Sequence, residues 1–468
     1  MADGRKYRSL SLNIILFSIG VWGSRLISFV FLPLYTSVLS TPDYGSADLV
    51  FTTAQLLLPL ITVNIQDAVL RFSLDSKYRS EDVISAGIQV ILTGSLILAI
   101  ALPFIYATRL ISMSPQYPLF LFFYCLFNAL QQSLSMYLKA ENKTQLIVIS
   151  GLLNTLTTCV MNIIFLIPLH LGVTGYLLAN LLGSVFASAL MFFAGGVFRS
   201  AHFRLNFTLL KAMVRYSSPL VFGSLSWWVN NASDRYIVTF FCGLSVNGVY
   251  AVAYKIPSIL STVQSGFYNA WSVSAITEYD PGDKDGFIGN VYSMFACASF
   301  LMCSVILIGN PILARFLYAK EFFHAWCYVP PLLLGNVFNG LALFEGCIFT
   351  AAKKSLEVAH TTVLGALINT ALNFVLIYAL GPLGAAVATM IGYFSIWILR
   401  TVHLKSIIAM KVNWRIHALS MLVLTAQCAI ALSGEVGVQL PVLFVLAFLQ
   451  QKSWGKILKI ALDFLHRL

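Results

Sequence analysis

The feature that most constrains this chain is a succession of apolar runs, each about twenty residues or longer, separated by short polar loops. About 20 apolar residues is the length a helix needs to cross the ~30 Å hydrocarbon core of a bilayer. In that medium no water satisfies the backbone, so such a run must be helical, with its N–H and C=O groups paired internally. Charged residues make up 10% of the chain, against about 25% in an ordinary soluble domain, and mean hydropathy is +0.83. A 468-residue chain of this makeup cannot hide its apolar surface in one core. The sequence predicts an all-α polytopic membrane protein with no soluble globular domain.

Spans are predicted near 10–38, 46–71, 83–106, 117–138, 145–168, 173–197, 216–241, 247–275, 288–309, 326–350, 356–380, 383–402, 416–433 and 436–450. The last two are short, so the expected count is 12–14. The expected architecture is two parallel six-helix repeats around a central cavity, plus two C-terminal helices. Residues 1–200 would form the first bundle, 201–215 a cytoplasmic linker, 216–405 the second bundle, and 406–468 the extra helices with a basic tail. In that tail Trp454, Leu458, Ala461 and Leu465 share a helix face, with Lys452, Lys456 and Lys459 among them. A helix of this kind lies on a membrane surface. The basic N-terminus resembles a signal peptide, but the run after it is too long and contains Arg25. It reads as an uncleaved first span.

Lys and Arg sort by side. With the N-terminus inside and the spans alternating, inner segments hold 23 of the 29 basic residues, Arg400 among them. The outside holds Arg109, Arg315 and Lys320; Arg25, Arg235 and Lys255 lie within spans. Positive residues favour the cytoplasmic side, so both termini are expected in the cytoplasm. The net charge of +11 reflects this asymmetry. No nucleic-acid motif accompanies it, and no nucleic-acid partner is expected. The eight cysteines lie scattered in apolar runs without a CxxC, as small buried hydrophobes do. No cofactor or metal site is expected. The loop Asp280-Pro-Gly-Asp-Lys-Asp285 resembles a calcium loop only loosely, lacks the terminal glutamate, and reads as a solvated turn. His170, His324, His360 and His403 are isolated and read as ordinary.

The halves look related. Lys143 precedes Asn162 by 19 residues, and Lys354 precedes Asn373 by 19. Gly172, Gly175 and Gly183 then answer to Gly381, Gly384 and Gly392. Six spans per half start each half on the same side, which makes the repeats parallel. Such repeats suit alternating access.

Polar residues recur every three or four positions within the spans, which keeps them on one helix face. The stripes are Ser18, Arg25, Ser28 and Tyr35 in span 1, and Thr52, Gln55, Pro59, Thr62 and Gln66 in span 2. Tyr124, Asn128, Gln131 and Ser135 form one in span 4. Ser217, Ser224, Trp228, Asn231 and Arg235 follow in span 7, and Lys255, Ser258, Thr262, Ser265 and Asn269 in span 8. A charge at the bilayer centre costs about 2.5–3.5 kcal/mol on insertion scales, so it normally faces a cavity or a partner. Arg25, Arg235, Lys255, Asn231, Gln55, Gln66, Asn128 and Gln131 are therefore candidate substrate-binding residues. The basic ones suit an anionic group, phosphate above all, or else pair internally with Asp234 or Glu345. Asp67 and Arg71, four apart, read as a structural ion pair or as a gate. Glu345 either carries a proton or pairs with a basic residue. Asn154, Asn162, Asn369 and Asn373 read as interhelical hydrogen bonders. Pro257 and Pro330-Pro331 read as kinks.

Gly23-Ser-Arg-Leu-Ile-Ser-Phe-Val-Phe-Leu-Pro-Leu-Tyr-Thr36 with Leu39-Ser-Thr-Pro-Asp-Tyr-Gly45 resembles the first span and outer turn of the bacterial polysaccharide transporter family. These are O-antigen and capsule-unit flippases of the multidrug/oligosaccharidyl-lipid/polysaccharide exporter superfamily. Ala68-Val-Leu-Arg-Phe72, Asp234-Arg235-Tyr and Gly248-Val-Tyr-Ala-Val-Ala-Tyr-Lys-Ile256 are similar to its second, seventh and eighth spans. The resemblance implies translocation of an undecaprenyl-diphosphate-linked oligosaccharide across the cytoplasmic (inner) membrane. Arg25, Arg235 and Lys255 would then meet the diphosphate or acidic sugars. It implies a lipid-linked oligosaccharide and membrane lipids as partners, with polysaccharide polymerase machinery nearby, and no enzymatic activity. Alternatives are a lipid II flippase and a multidrug cation exporter of the same superfamily. Arg25, where the exporter class has an acid in its first-half cavity, speaks against the exporter. A membrane glycan polymerase or ligase needs a large catalytic loop, which the short outer loops lack.

Overall fold

The computed structural model describes residues 27, 29–107, 117–200 and 206–465. Among them the chain is helical, and ten helices are long and apolar enough to cross a membrane. The chain divides into two compact units, Met1–Trp228 and Val229–Leu468.

In the first unit the helices are α1 (Leu32–Val38), α2 (Thr41–Thr62), α3 (Ile65–Ser73), α4 (Ser80–Ala107), α5 (Tyr117–Ala140), α6 (Thr144–Leu166) and α7 (Gly172–Ala194). The Leu39–Gly45 motif is a helix start. The Ser40 hydroxyl accepts from the Asp43 N–H at 3.3 Å and donates to its carboxylate at 2.6 Å, and Pro42 sits in the first turn. That arrangement satisfies N–H groups a helix start leaves orphaned. The predicted second span is broken. Val63 and Asn64 both adopt left-handed backbone, φ 51° and 52°, between α2 and α3. Such backbone costs an L-residue roughly 1–2 kcal/mol. The Asn64 side chain donates to Ser224 at 2.8 Å, a contact that holds the break.

α8 (Phe207–Cys242) runs through the boundary between the units. The second unit continues with α9 (Leu244–Ala253), α10 (Pro257–Thr277), α11 (Phe287–Leu317), α12 (Val329–Ala351), α13 (Ser355–Leu380) and α14 (Pro382–Leu404). The predicted eighth span is broken too, over Tyr254–Ile256, and Pro257 opens the next helix rather than kinking a continuous one. Asn336 donates to the Pro257 carbonyl at 3.0 Å.

The internal repeat has a backbone signature. Asn142 and Lys353 have φ 58° and 59°; Lys143 and Lys354 follow with ψ 45° and 44°, as the N-caps of α6 and α13. In both turns the lysine N–H reaches back five residues, to the Leu138 and Phe349 carbonyls. The hairpins then close alike. A Cβ on Gly183 would collide with Asn154 and Thr158, and one on Gly392 with Asn369, so glycine permits close helix approach at matching positions.

α15 (Trp414–Ala431) and α16 (Gln439–Leu449) pack on α11, where Gln427 and Ser304 exchange two hydrogen bonds of 2.7 and 3.1 Å. α16 has 11 residues, about 16 Å at 1.5 Å per residue, short of a full crossing. α17 (Gln451–Leu465) is the predicted amphipathic tail. Its Lys456 donates to Asn290 at 2.7 Å, and its Ile457 closes an apolar cavity of about 300 Å³ against α10 and α11.

The Asp280–Asp285 loop is more than a solvated turn. Asp283 is buried and caps α11, accepting from the Ile288 and Gly289 N–H groups at 3.0 Å each and from Lys411 N–H at 3.2 Å. Asp280 is partly exposed. The N–H groups of Lys284 and Gly282 hold its carboxyl below the usual range. No group of three or more metal-ligating side chains occurs among the described residues.

Candidate functional site

At the break in the second span lies a cavity of about 480 Å³ with both polar and apolar walls, in the first unit. Gln55, Pro59 and Thr62 reach it from α2, Asn64 from the break, Gln66 from α3, and Gln132 from α5; Ser224 and Trp227 come from α8. Its polar groups belong to uncharged side chains. Gln66 Nε2 donates to Asn64 Oδ1 at 3.3 Å, and Gln132 Nε2 to Asn128 Oδ1 at 2.9 Å. Trp228 anchors this part of α8, with its indole N–H donating to the Thr52 carbonyl at 2.9 Å, while the neighbouring Trp227 is 57% exposed. Amides that both donate and accept, beside an exposed aromatic face, suit the hydroxyl groups and apolar faces of a sugar.

Among the predicted residues, Gln55 and Gln66 line this cavity, and Asn128 borders it through Gln132. Gln132 is on the wall, whereas Gln131 is not. Arg25 lies outside the described residues, as do Ser18 and Ser28. Asp67 and Arg71 form no ion pair. Asp67 is half-buried and Arg71 is exposed on the 9-residue α3.

The second unit gathers the other candidates at its own break. The Arg235 guanidinium lies over the Tyr254 ring, 5.0 Å from its centroid, and Lys255 is the next residue along. A cation on an aromatic face is stabilised by about 0.5–2 kcal/mol. Asp234 is buried beside it. The Tyr250 hydroxyl donates to Oδ2 at 2.7 Å, the Tyr254 hydroxyl donates to the same oxygen, and the Arg235 N–H donates to Oδ1 at 2.9 Å. Asn231 accepts from the Tyr393 hydroxyl. Both are thus tied into the helix packing. The breaks fall at different depths of their spans, 22 residues after the start of α2 and 10 after the start of α9.

Glu345 is fully buried in α12, where its Oε1 accepts from Thr401 at 2.7 Å and Tyr292 at 3.3 Å. Arg400, counted from the sequence as an inner-loop charge, is 4% exposed inside α14. Asn162 and Asn373 are fully buried, as interhelical hydrogen bonders should be. Asn162 donates to Tyr35 at 3.1 Å, whereas Asn373 donates to Asn369 of its own helix at 2.7 Å. His403 is not isolated; it lies 3.3 Å from Glu357.

Broken helices and polar pockets within apolar spans recur in membrane transporters. The fold agrees over nearly the whole chain. A structure of the lipid II flippase MurJ, in an inward closed conformation, matches at 14% identity and a TM-score of 0.70, covering 95% of this chain and 99% of that one. An inward-facing multidrug resistance MATE family transporter of the MOP superfamily matches at 15% identity and a TM-score of 0.68, covering 84% and 98%. Its outward-facing counterpart matches at 0.60. At such identities the likeness concerns the fold. The chain belongs to the polysaccharide biosynthesis protein family, whose model matches residues 10–271. No curated protein matches the sequence.

Proposed function

We propose that this protein is a flippase that moves an undecaprenyl-diphosphate-linked oligosaccharide across the bacterial cytoplasmic membrane by alternating access, with both termini in the cytoplasm. The observation that carries this reading is the uncharged, amide-lined cavity at the break in the second span. Neutral donors and acceptors replace the hydration of sugar hydroxyls without demanding a charge on the ligand. Arg25, Arg235 and Lys255 are proposed to meet the diphosphate or acidic sugars, since Arg forks onto phosphate oxygens. A cationic drug would call for a carboxylate on the cavity wall, and none lines it among the described residues. The family, described as polysaccharide biosynthesis proteins, supports a polysaccharide precursor as cargo.

The test is translocation in proteoliposomes of a fluorescent polyprenyl-diphosphate oligosaccharide, comparing wild type with Gln66→Leu and Arg235→Ala. Transport that falls in both variants, with the folded yield unchanged, supports the reading. Efflux of small cations without any glycolipid movement overturns it in favour of a drug exporter. Transport of lipid II in preference to repeat units points to the lipid II reading.

A further inference from the structure

Three carboxylates are nearly or fully buried in the second unit: Asp234, Asp283 and Glu345. Asp234 and Asp283 have both oxygens engaged by N–H or O–H donors. Glu345 differs. Its Oε1 accepts from Thr401 and Tyr292, but its Oε2 is buried with no hydrogen-bond partner. Buried polar atoms are almost always satisfied, so an orphan oxygen calls for an explanation.

A cation lies close by and is held away. Arg400 spends its guanidinium on neutral oxygens: the Ala342 carbonyl at 2.6 Å, Thr362 at 2.9 Å, Thr361 at 3.0 Å and the Val358 carbonyl at 3.2 Å. Ala342 is one turn before Glu345 on α12, and a Cβ on Gly346 would stand 3.0 Å from Arg400 Nη1. The guanidinium therefore lies against the carboxyl's own helix without an ion pair within 4 Å. Other titratable groups around this place are Tyr292 on α11, Cys347 on α12 itself and Tyr268 on α10. His417 on α15 has its ring centroid 5.7 Å from that of Tyr292. The helix α13 contributes the hydroxyls of Thr361 and Thr362. Trp397 donates to the Tyr292 hydroxyl at 3.1 Å, which orients that hydroxyl's own proton toward Glu345.

We propose that Glu345 is a proton-binding site linked to the transport cycle, taking up H⁺ on Oε2 and, once ionised, turning that oxygen toward Arg400. The carboxylic acid keeps Arg400 on its neutral acceptors. The carboxylate competes for it and so loosens the ties between α12, α13 and α14. An ionisable group within a span is a natural place for such coupling. Proton binding itself stands on the geometry; what the proton is exchanged against rests on the flippase reading.

Infrared difference spectra of the full-length protein in vesicles, between acid and alkaline buffer, would show a carboxylic acid C=O band. The band should be lost in Glu345→Gln and moved in Glu345→Asp, which keeps the acid if the first variant misfolds. In vesicles loaded with a pH dye, adding a polyprenyl-diphosphate oligosaccharide should move protons in wild type, with at least a tenfold loss in Glu345→Gln. No band that depends on Glu345, or proton movement that survives Glu345→Gln, overturns the proposal. A Glu345 band in a protein that moves no glycolipid leaves the proton site standing and removes the flippase reading instead.

Discussion

Gln66 and Gln132 reach one cavity from separate helices, and neither is needed to close a helix end. Replacing either with leucine removes amide groups without adding charge. A hydrogen bond is worth about 0.5–1.5 kcal/mol net, so each substitution should lower glycolipid transport about 2- to 10-fold, measured as initial rate in proteoliposomes. Gln131→Leu, off the wall, should change it little. Gln55 was legible from spacing alone, because Thr52, Gln55, Pro59 and Thr62 obey helical periodicity along α2, whereas Gln66 reaches the cavity from α3, past the break. Gln132 was passed over in favour of the adjacent Gln131, although it lies four residues after Asn128 on the same helix face and donates to it. Arg400 was misplaced for a similar reason. The four oxygens that satisfy it come from α12 and α13, distant in sequence from α14.

At the scale of elements, the break after α2 is what the sequence concealed, whereas Pro257 marked the place of the other. Thr62-Val-Asn-Ile65 contains no glycine or proline, and Asn64 alone signals a left-handed residue. Asn64→Val would put a β-branched residue at φ 52° and remove the tie to Ser224. It should destabilise the first unit by about 2 kcal/mol, visible as a lower thermal midpoint in detergent, whereas Asn64→Gly should cost less. The loop before α11 carries a pH signature. The carboxyl of Asp280 is held below its usual range by two N–H groups. Its stabilisation is therefore complete above the ordinary carboxylate pKa, and falls away in acid as pH drops through the lowered value. Asp280→Ala should reduce the acid sensitivity of this loop, read as amide protection factors corrected for the intrinsic pH dependence of exchange, and leave the share due to Asp283 and Asp285.

For the whole molecule, the span pattern and family were readable from composition, charge sidedness and a few linear motifs, because lipid imposes the same helix everywhere. Removing Arg400 from the loop count leaves 22 basic residues on the proposed inner side and the same three outside. Single cysteines at Lys284 and at Lys353 should therefore react with an impermeant thiol reagent only from the cytoplasm, and one at Lys320 only from outside. The opposite pattern would invert the orientation.

The matched turns before α6 and α13 bear on how such a chain can change over time. Each begins a hairpin, two helices that leave on the side from which they entered. Insertion or loss of a whole hairpin conserves parity: every segment downstream keeps its face of the membrane, and so keeps its charges where the translocation machinery reads them. A single helix gained or lost would invert everything after it. A chain assembled from pairs can therefore lengthen, shorten or duplicate in steps of two while the remainder of its topology stays fixed.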